Sequence, residues 1–287
     1  MSKIYRLLAA ASIAVLAGLA LVAPASATAP GDTITYEATM NPVELNTPAG
    51  AASGKVTVSI TGDQVTVTED VKGLADKLPA DTAVLASLGI PAAFAGAAFP
   101  HLQHIHIDGM GQCPTAAADT DKNGVVDTVE GQPSYGKIGT TLSISGATDA
   151  STAADVTLVP GGANYTYKRT FTINAETLAA IKANKAVVVM HGLNPATAAP
   201  AALTAPNSLG VTLPGADKKV AMVATAPALC GVLKASQMVV TPVGAADTGG
   251  GSMAARSDNG LLFGLGAALI AGAGAILYTR KRSALQK

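Results

Sequence analysis

Two β-branched runs, Lys55–Thr61 (KVTVSIT) and Gln64–Glu69 (QVTVTE), flank the dipeptide Gly62-Asp63. Alternation of apolar and polar residues turns one face of each run to a core, and Gly-Asp suits a two-residue turn, so the stretch predicts a β-hairpin. Related signals recur at Thr33–Met40, Leu102–Asp108, Gly139–Ser145, Ala154–Leu158, Tyr165–Ile173, Ala186–Met190, Val220–Thr225 and Gly231–Val240. Short strands at such spacing predict an all-β fold, an antiparallel Greek-key sandwich or flattened barrel. Two short helical insertions interrupt it. Asp81–Ala98 is alanine-rich with a break at Pro91, and Asn174 can cap a helix running to Lys182. The first insertion runs into His101, which makes it either a lid over that region or a segment packed on the sheet.

The two ends of the chain predict where it works. Residues 1–27 carry Lys3 and Arg6, an apolar run from Leu7 to Val22 and then Ala25-Ser26-Ala27, the layout of a secretory signal peptide. Residues 261–278 (LLFGLGAALIAGAGAILY) are uncharged and about 27 Å long as a helix, against a hydrocarbon core of roughly 30 Å. They predict a C-terminal transmembrane helix. Arg280, Lys281 and Arg282 in the tail 279–287 place that tail in the cytoplasm and everything from Thr28 to Asn259 outside. Glycine-rich residues 243–260 read as a flexible stalk between domain and helix. Within the stalk, Ala245-Ala246-Asp247-Thr248-Gly249 resembles the signal that bacterial sortases cut between Thr and Gly, with Ala245 where Leu is usual. Attachment to a cell wall and simple anchoring by the helix are the two readings.

Composition narrows the partners. The chain has 19 basic and 19 acidic residues and no basic stripe, which argues against a nucleic-acid partner. Roughly 215 residues between the leader and the stalk are enough for one good core. Cys113 and Cys230 lie in the exported region, where a single disulfide is the default.

All four histidines fall in two places, His101, His104 and His106 in HLQHIHIDG and His191 in VVVMHG. On a strand His104 and His106 project to one side and Ile105 and Ile107 to the other. Two imidazoles on one face with a third from a distant strand is a recurring way to hold copper or zinc; polar positions on a solvated sheet face are the plainer alternative. An i, i+3 spacing sets His101 off that face unless the chain bulges before Leu102.

A second metal pattern follows. Residues 119–130 fit D-x-[DN]-x-[DN]-G-x5-E, which would wrap Asp119, Asp121, Asn123, the Val125 carbonyl, Asp127 and Glu130 around one Ca²⁺, with Gly124 at the sharp turn. Cys113-Pro114 before the loop and Gly131-Gln132-Pro133 after it do not read as the paired helices of an EF-hand. An isolated calcium loop is expected, against a solvated acidic turn. No phosphate-binding glycine loop, nucleophile elbow or carboxylate pair across a cleft is present.

The run QHIHIDGMGQC, then VVVMHGL, then ALCGVL is similar in order and spacing to the Cu/Zn superoxide dismutases, and HGLNP also resembles the chordin-type (CHRD) domains. The resemblance spans roughly Thr33 to Val240. It implies copper ligation by His104, His106 and His191, and pairing of Cys113 with Cys230. Two departures accompany it. There is no histidine between His106 and His191, so the bridging histidine and zinc ligands are missing, and Pro227 stands where the family has an arginine that draws in superoxide. Loss of electrostatic guidance argues against efficient dismutation. Three functions are therefore expected as alternatives: a surface-anchored domain binding copper and calcium, a copper-only dismutase, or a structural or adhesive module.

Overall fold

The computed structural model of the chain describes residues 33–46 and 52–236. The leader at 1–27, the stalk at 243–260, the span at 261–278 and the tail at 279–287 lie outside the described residues. Among the described residues no helix is long and apolar enough to cross a membrane.

Nine antiparallel strands make one sheet: β1 (Ile34–Pro42), β2 (Ser53–Thr61), β3 (Gln64–Lys72), β4 (Gln103–Asp108), β5 (Gly136–Thr141), β6 (Tyr165–Thr172), β7 (Val187–His191), β8 (Pro227–Val232) and β9 (Lys234–Ala235). Their order is β5-β4-β7-β8-β1-β2-β3-β6, with β9 beside β1. The fold is mostly β and antiparallel, as expected, and its sheet is a single curled half-barrel. β1 makes the bend, because Ile34–Met40 pairs with β2 while Asn41 and Pro42 pair with β8. The core fills the hollow of the curl. Val56, Val58 and Ile60 of β2 and Val65, Val67 and Val71 of β3 face inward and meet Ile105, Val188, Met190 and Leu229 from the other half. At the open side Tyr167 Oη donates to Ser143 O (3.1 Å) and Arg169 donates to the same carbonyl (2.7 Å) and to Gly146 O. Side chains of β6 thus reach across to the segment after β5.

The inner face of β3 also carries Glu69, 1% exposed, with no hydrogen-bond partner on either oxygen. Burial pushes its carboxyl up to about 8, against a smaller opposing pull from the Gln103 amide.

Helix α1 (Thr82–Ser87) is capped by Asp81 and α3 (Ala175–Lys182) by Asn174, whose Oδ1 accepts from Thr177 N at 2.8 Å. The Asn174-capped helix matches expectation, whereas the insertion expected over Asp81–Ala98 is helical only in α1 and in a 3₁₀ turn at Ala92–Phe94 after Pro91. Helices α2 (Thr128–Tyr135) and α4 (Pro200–Thr204) were not foreseen. Four strand expectations need correction, the first being Gly231–Val240: its start belongs to β8 (Pro227–Val232), which begins four residues earlier, two further residues form β9 (Lys234–Ala235), and 237–240 lie outside the described residues. The strand expected at Gly139–Ser145 lies three to four residues earlier, at Gly136–Thr141. Ala154–Leu158 is turn, because Asp155 Oδ1 accepts from Thr157 N (2.9 Å) and Thr157 Oγ1 (2.6 Å), a local bond that competes with pairing. In Val220–Thr225 residues Met222–Ala224 form a 3₁₀ turn. The segment is still apolar and mostly buried, but its backbone N–H groups go to Val211, Leu88 and Ala205, in loops rather than strands.

Candidate metal centres

β4, β7 and β8 are buried on both faces, which is why their sequences lack a clean alternation. Ile105, Val188 and Met190 serve the hollow of the curl. His104, His106 and His191 point to the opposite face, where loops cover them to 2–3% exposure. β4 pairs directly with β7, so strand pairing brings residues far apart in sequence together. Ring centroids are 5.5 Å apart for His104 and His106, 5.3 Å for His104 and His191, and 6.0 Å for His106 and His191.

Each of the three rings is held by one nitrogen. His104 Nε2 donates to Ala153 O (3.0 Å), His106 Nδ1 to Gly136 O (2.9 Å) and His191 Nδ1 to Thr225 O (2.6 Å). A carbonyl only accepts, so these bonds fix the tautomers and leave His104 Nδ1, His106 Nε2 and His191 Nε2 as lone pairs. All three free nitrogens are buried without a partner, and the group's ligand atoms lie within 4.8 Å of one another. A buried unsatisfied polar atom costs roughly 1–3 kcal/mol, so three converging ones make a costly arrangement that a single cation would relieve. Burial is the main force holding the imidazoles neutral. It depresses His106 to about 3 and His191 to about 4, and His104 well below its ordinary value, with mutual repulsion adding for His104 and His106. Neutral imidazole is the ligating form, and the donor set fits a transition metal.

Two glycines make the geometry possible. Gly136 has φ +96°, and a Cβ there would strike Ile107 O; its own carbonyl can therefore approach His106 only as glycine. Gly192, at φ +102°, follows His191, and a Cβ would lie 2.6 Å from the Phe99 ring.

His101 is not brought into this group. Its ring lies between Phe99 and Tyr165, Nδ1 faces His191 O (3.0 Å) and Nε2 faces Ala75 O (2.9 Å). Both nitrogens face backbone carbonyls, so the neutral ring donates to one of them and its remaining lone pair is turned to the other carbonyl and not to the triad. Pro227 lies across from His191 in the β7–β8 pairing, where a register irregularity falls.

The residues above the triad form a cavity of about 110 Å³. Ile90 and Phe94 of the first insertion wall one side of it, so that segment is both packed on the sheet and a cover over the histidines. Among its wall residues none is Lys, Arg, Asp or Glu.

The acidic loop forms a second cluster. Asp119, Asp121 and Glu130 place carboxylate oxygens within 4.8 Å of one another. Asp119 accepts from Asn123 N (3.1 Å) and Gly124 N (2.9 Å), and Gly124 takes φ +84°. Asn123 Oδ1 accepts from Val125 N (2.9 Å). Glu130 Oε1 accepts from Thr120 N at 2.8 Å. Asp127 Oδ1 caps α2 by accepting from Val129 N and Glu130 N, and Glu130 Oε2 accepts from Asp127 N, a capping box. The S/T/D-x-x-E signature was present in Asp127–Glu130 and could have revealed α2. One helix leaves the loop, while a single 3₁₀ turn, Ala116–Ala118, precedes it.

The loop is tied to the domain at three points. The disulfide between Cys113 and Cys230 joins its start to β8. Asn46, which sequence reasoning did not single out, holds its middle: Nδ2 donates to Val126 O (2.7 Å) and Pro227 O (2.8 Å), and Oδ1 accepts from Val126 N (2.8 Å). At its exit Thr128 Oγ1 donates to Thr225 O (2.7 Å), the carbonyl that also receives His191.

Together these features define a class, an antiparallel β domain with a histidine triad on one sheet face and an acidic loop stapled beside it. Comparison with known proteins finds no matching protein family and no matching curated protein.

Proposed function

We propose that this chain is an exported surface domain of the superoxide dismutase or chordin-domain type that binds one transition metal, copper in preference, through His104, His106 and His191, and calcium through Asp119, Asp121, Glu130 and their loop. The observation that carries the reading is the set of three buried imidazole nitrogens without a partner, in a triad whose possible ligand atoms lie within 4.8 Å of one another. Copper is favoured because an all-imidazole site follows the order of affinities in which Cu²⁺ stands highest among the divalent first-row ions. The oxygen-only loop suits a hard cation such as Ca²⁺, and extracellular levels satisfy even a weak site. A leader at 1–27 and a span at 261–278, both read from sequence, would export the domain and hold it at the outer face of a membrane or cell wall, with a Greek-key ancestry for the sheet.

A copper-only dismutase is the alternative that the resemblance raises. Pro227 beside His191 and the uncharged cavity wall weigh against it, since neither draws in an anion. The test is electron paramagnetic resonance of the Cu²⁺-loaded protein. Nitrogen hyperfine structure from imidazole ligands is expected, altered in His104→Ala and His191→Ala and retained in His101→Ala. A spectrum indifferent to His104 and His191 contradicts the proposal.

A further inference from the structure

We infer that the cavity over the histidine triad is a binding site for a small, uncharged, largely apolar molecule bearing one nitrogen or oxygen lone pair, which lies against the apolar wall and reaches the metal at the floor. This deepens the proposed function and rests on its metal. Three protein ligands leave a metal with an open coordination position. The three histidines are among the residues that line the cavity, so a molecule held against its wall would stand next to a metal they hold.

What else can enter is set by the wall. Phe94, Phe99 and Leu102 form part of it, with Val211 and Leu213 contributing from the loop before β8. Its only polar side chains besides the three histidines are Thr128 and Thr225. Their hydroxyls are already spent on the backbone, Thr128 Oγ1 on Thr225 O and Thr225 Oγ1 on Met222 O (3.4 Å). An anion entering here would lose its hydration with only the metal to compensate, whereas an apolar body loses nothing by leaving water. The cavity measures about 110 Å³, somewhat below the roughly 150 Å³ of an engineered apolar cavity that takes benzene, and it opens to solvent, so a ring-sized molecule fits with one edge at the mouth.

The experiment titrates the full chain, loaded with Cu²⁺, with imidazole, 4-phenylimidazole and azide, following the copper spectrum. The phenyl group should tighten binding about tenfold or more over imidazole, from buried apolar area alone, and azide should bind no better than imidazole. Val156→Trp, which places a large ring at a half-buried wall position, should bring 4-phenylimidazole down to the level of imidazole with copper content unchanged. Leu209→Asp, at the exposed rim, should weaken the phenyl derivative in the same sense should the tryptophan variant fail to fold. Equal affinities for the two imidazoles, or azide binding tighter than both, would overturn the inference. A protein that retains no copper sinks the metal reading instead. In that case the melting temperature of metal-free protein with and without benzene decides the cavity: a rise reversed by Val156→Trp supports an apolar site, and no rise overturns it.

Discussion

Glu69 and the three triad histidines are buried titratable groups that pull the stability of the metal-free protein in opposite directions with pH. His106 and His191 titrate at about 3 and about 4 when folded, below their ordinary 6.5, so the unfolded chain takes up protons first and stability falls as pH drops from 6.5 toward those values. Glu69 is raised from 4.5 to about 8, so its contribution is complete below pH 4.5 and is lost as pH rises to about 8. The histidines outnumber the one carboxyl, which predicts a maximum near pH 6.5, a decline to about pH 8 and a plateau beyond. Glu69→Gln should abolish the decline, a difference on the order of a few kcal/mol between pH 6.5 and 8.5. Denaturant unfolding at pH 5, 6.5 and 8.5 measures it, and a wild-type stability unchanged between the last two values contradicts it. Copper binding should raise stability yet keep the acid-side slope and carry it to lower pH, because liganded imidazoles take no protons in the folded state while those of the unfolded chain still do. At this scale the triad was legible, since i, i+2 spacing on a strand fixes which histidines share a face. The orphaning of Glu69 was less so: alternation places it inward with Val65 and Val67, but a carboxylate in that position reads as solvent-facing until the curl of the sheet is known.

Helix α2 is the element that joins the two candidate metal centres. It begins in the acidic loop with the Asp127–Glu130 capping box, shares the Thr225 carbonyl with His191 through Thr128, and ends where Tyr135 packs on His106 at 4.6 Å and Gly136 O holds the same ring. Calcium bound at Glu130 would therefore fix the start of the helix that orients two of the proposed copper ligands. Removing calcium should weaken copper binding by about 5-fold or more, and copper should tighten calcium by the same factor, as linkage requires. Thr128→Val should cut that factor toward one at a direct stability cost of about 1 kcal/mol. Chelator competition for copper with and without calcium reads both; a calcium-independent copper affinity in the wild type would mean the helix transmits nothing. Element by element, the β2–β3 hairpin and the caps at Asp81 and Asn174 could be read because their determinants are local. α2 was missed because Gly131 and Pro133 lie inside it and mask a helix whose cap signal was in plain view. Val220–Thr225 was mistaken for a strand because burial selects the same apolar residues whether the backbone bonds to strands or to loops.

At the scale of the whole molecule one sheet must cover two apolar surfaces, the hollow of the curl and a smaller patch on the outer face. That outer patch gathers Val126, Tyr135, Val187, Val189 and Cys230 beneath the loop. The disulfide holds this cover in place across 117 residues of chain. Replacing both cysteines by alanine should cost roughly 5 kcal/mol in the chain-entropy account, and should also loosen the acidic loop. Equilibrium unfolding of the double variant measures the first, calcium titration the second, and a loss under about 1 kcal/mol would show that Asn46 and the capping box suffice. Antiparallel β structure and a disulfide were both foreseeable from spacing and export. The single curled sheet was not, because closure depends on Tyr167 and Arg169 reaching Ser143 across the open side, a contact with no local signature. A transition metal at the triad is the central expectation for this molecule. Elemental analysis of the full chain, exposed to copper, zinc and calcium and then desalted, tests it most directly: one copper per chain, lost in the His104→Ala, His191→Ala double variant, is the predicted result, and calcium with no transition metal bound would contradict it.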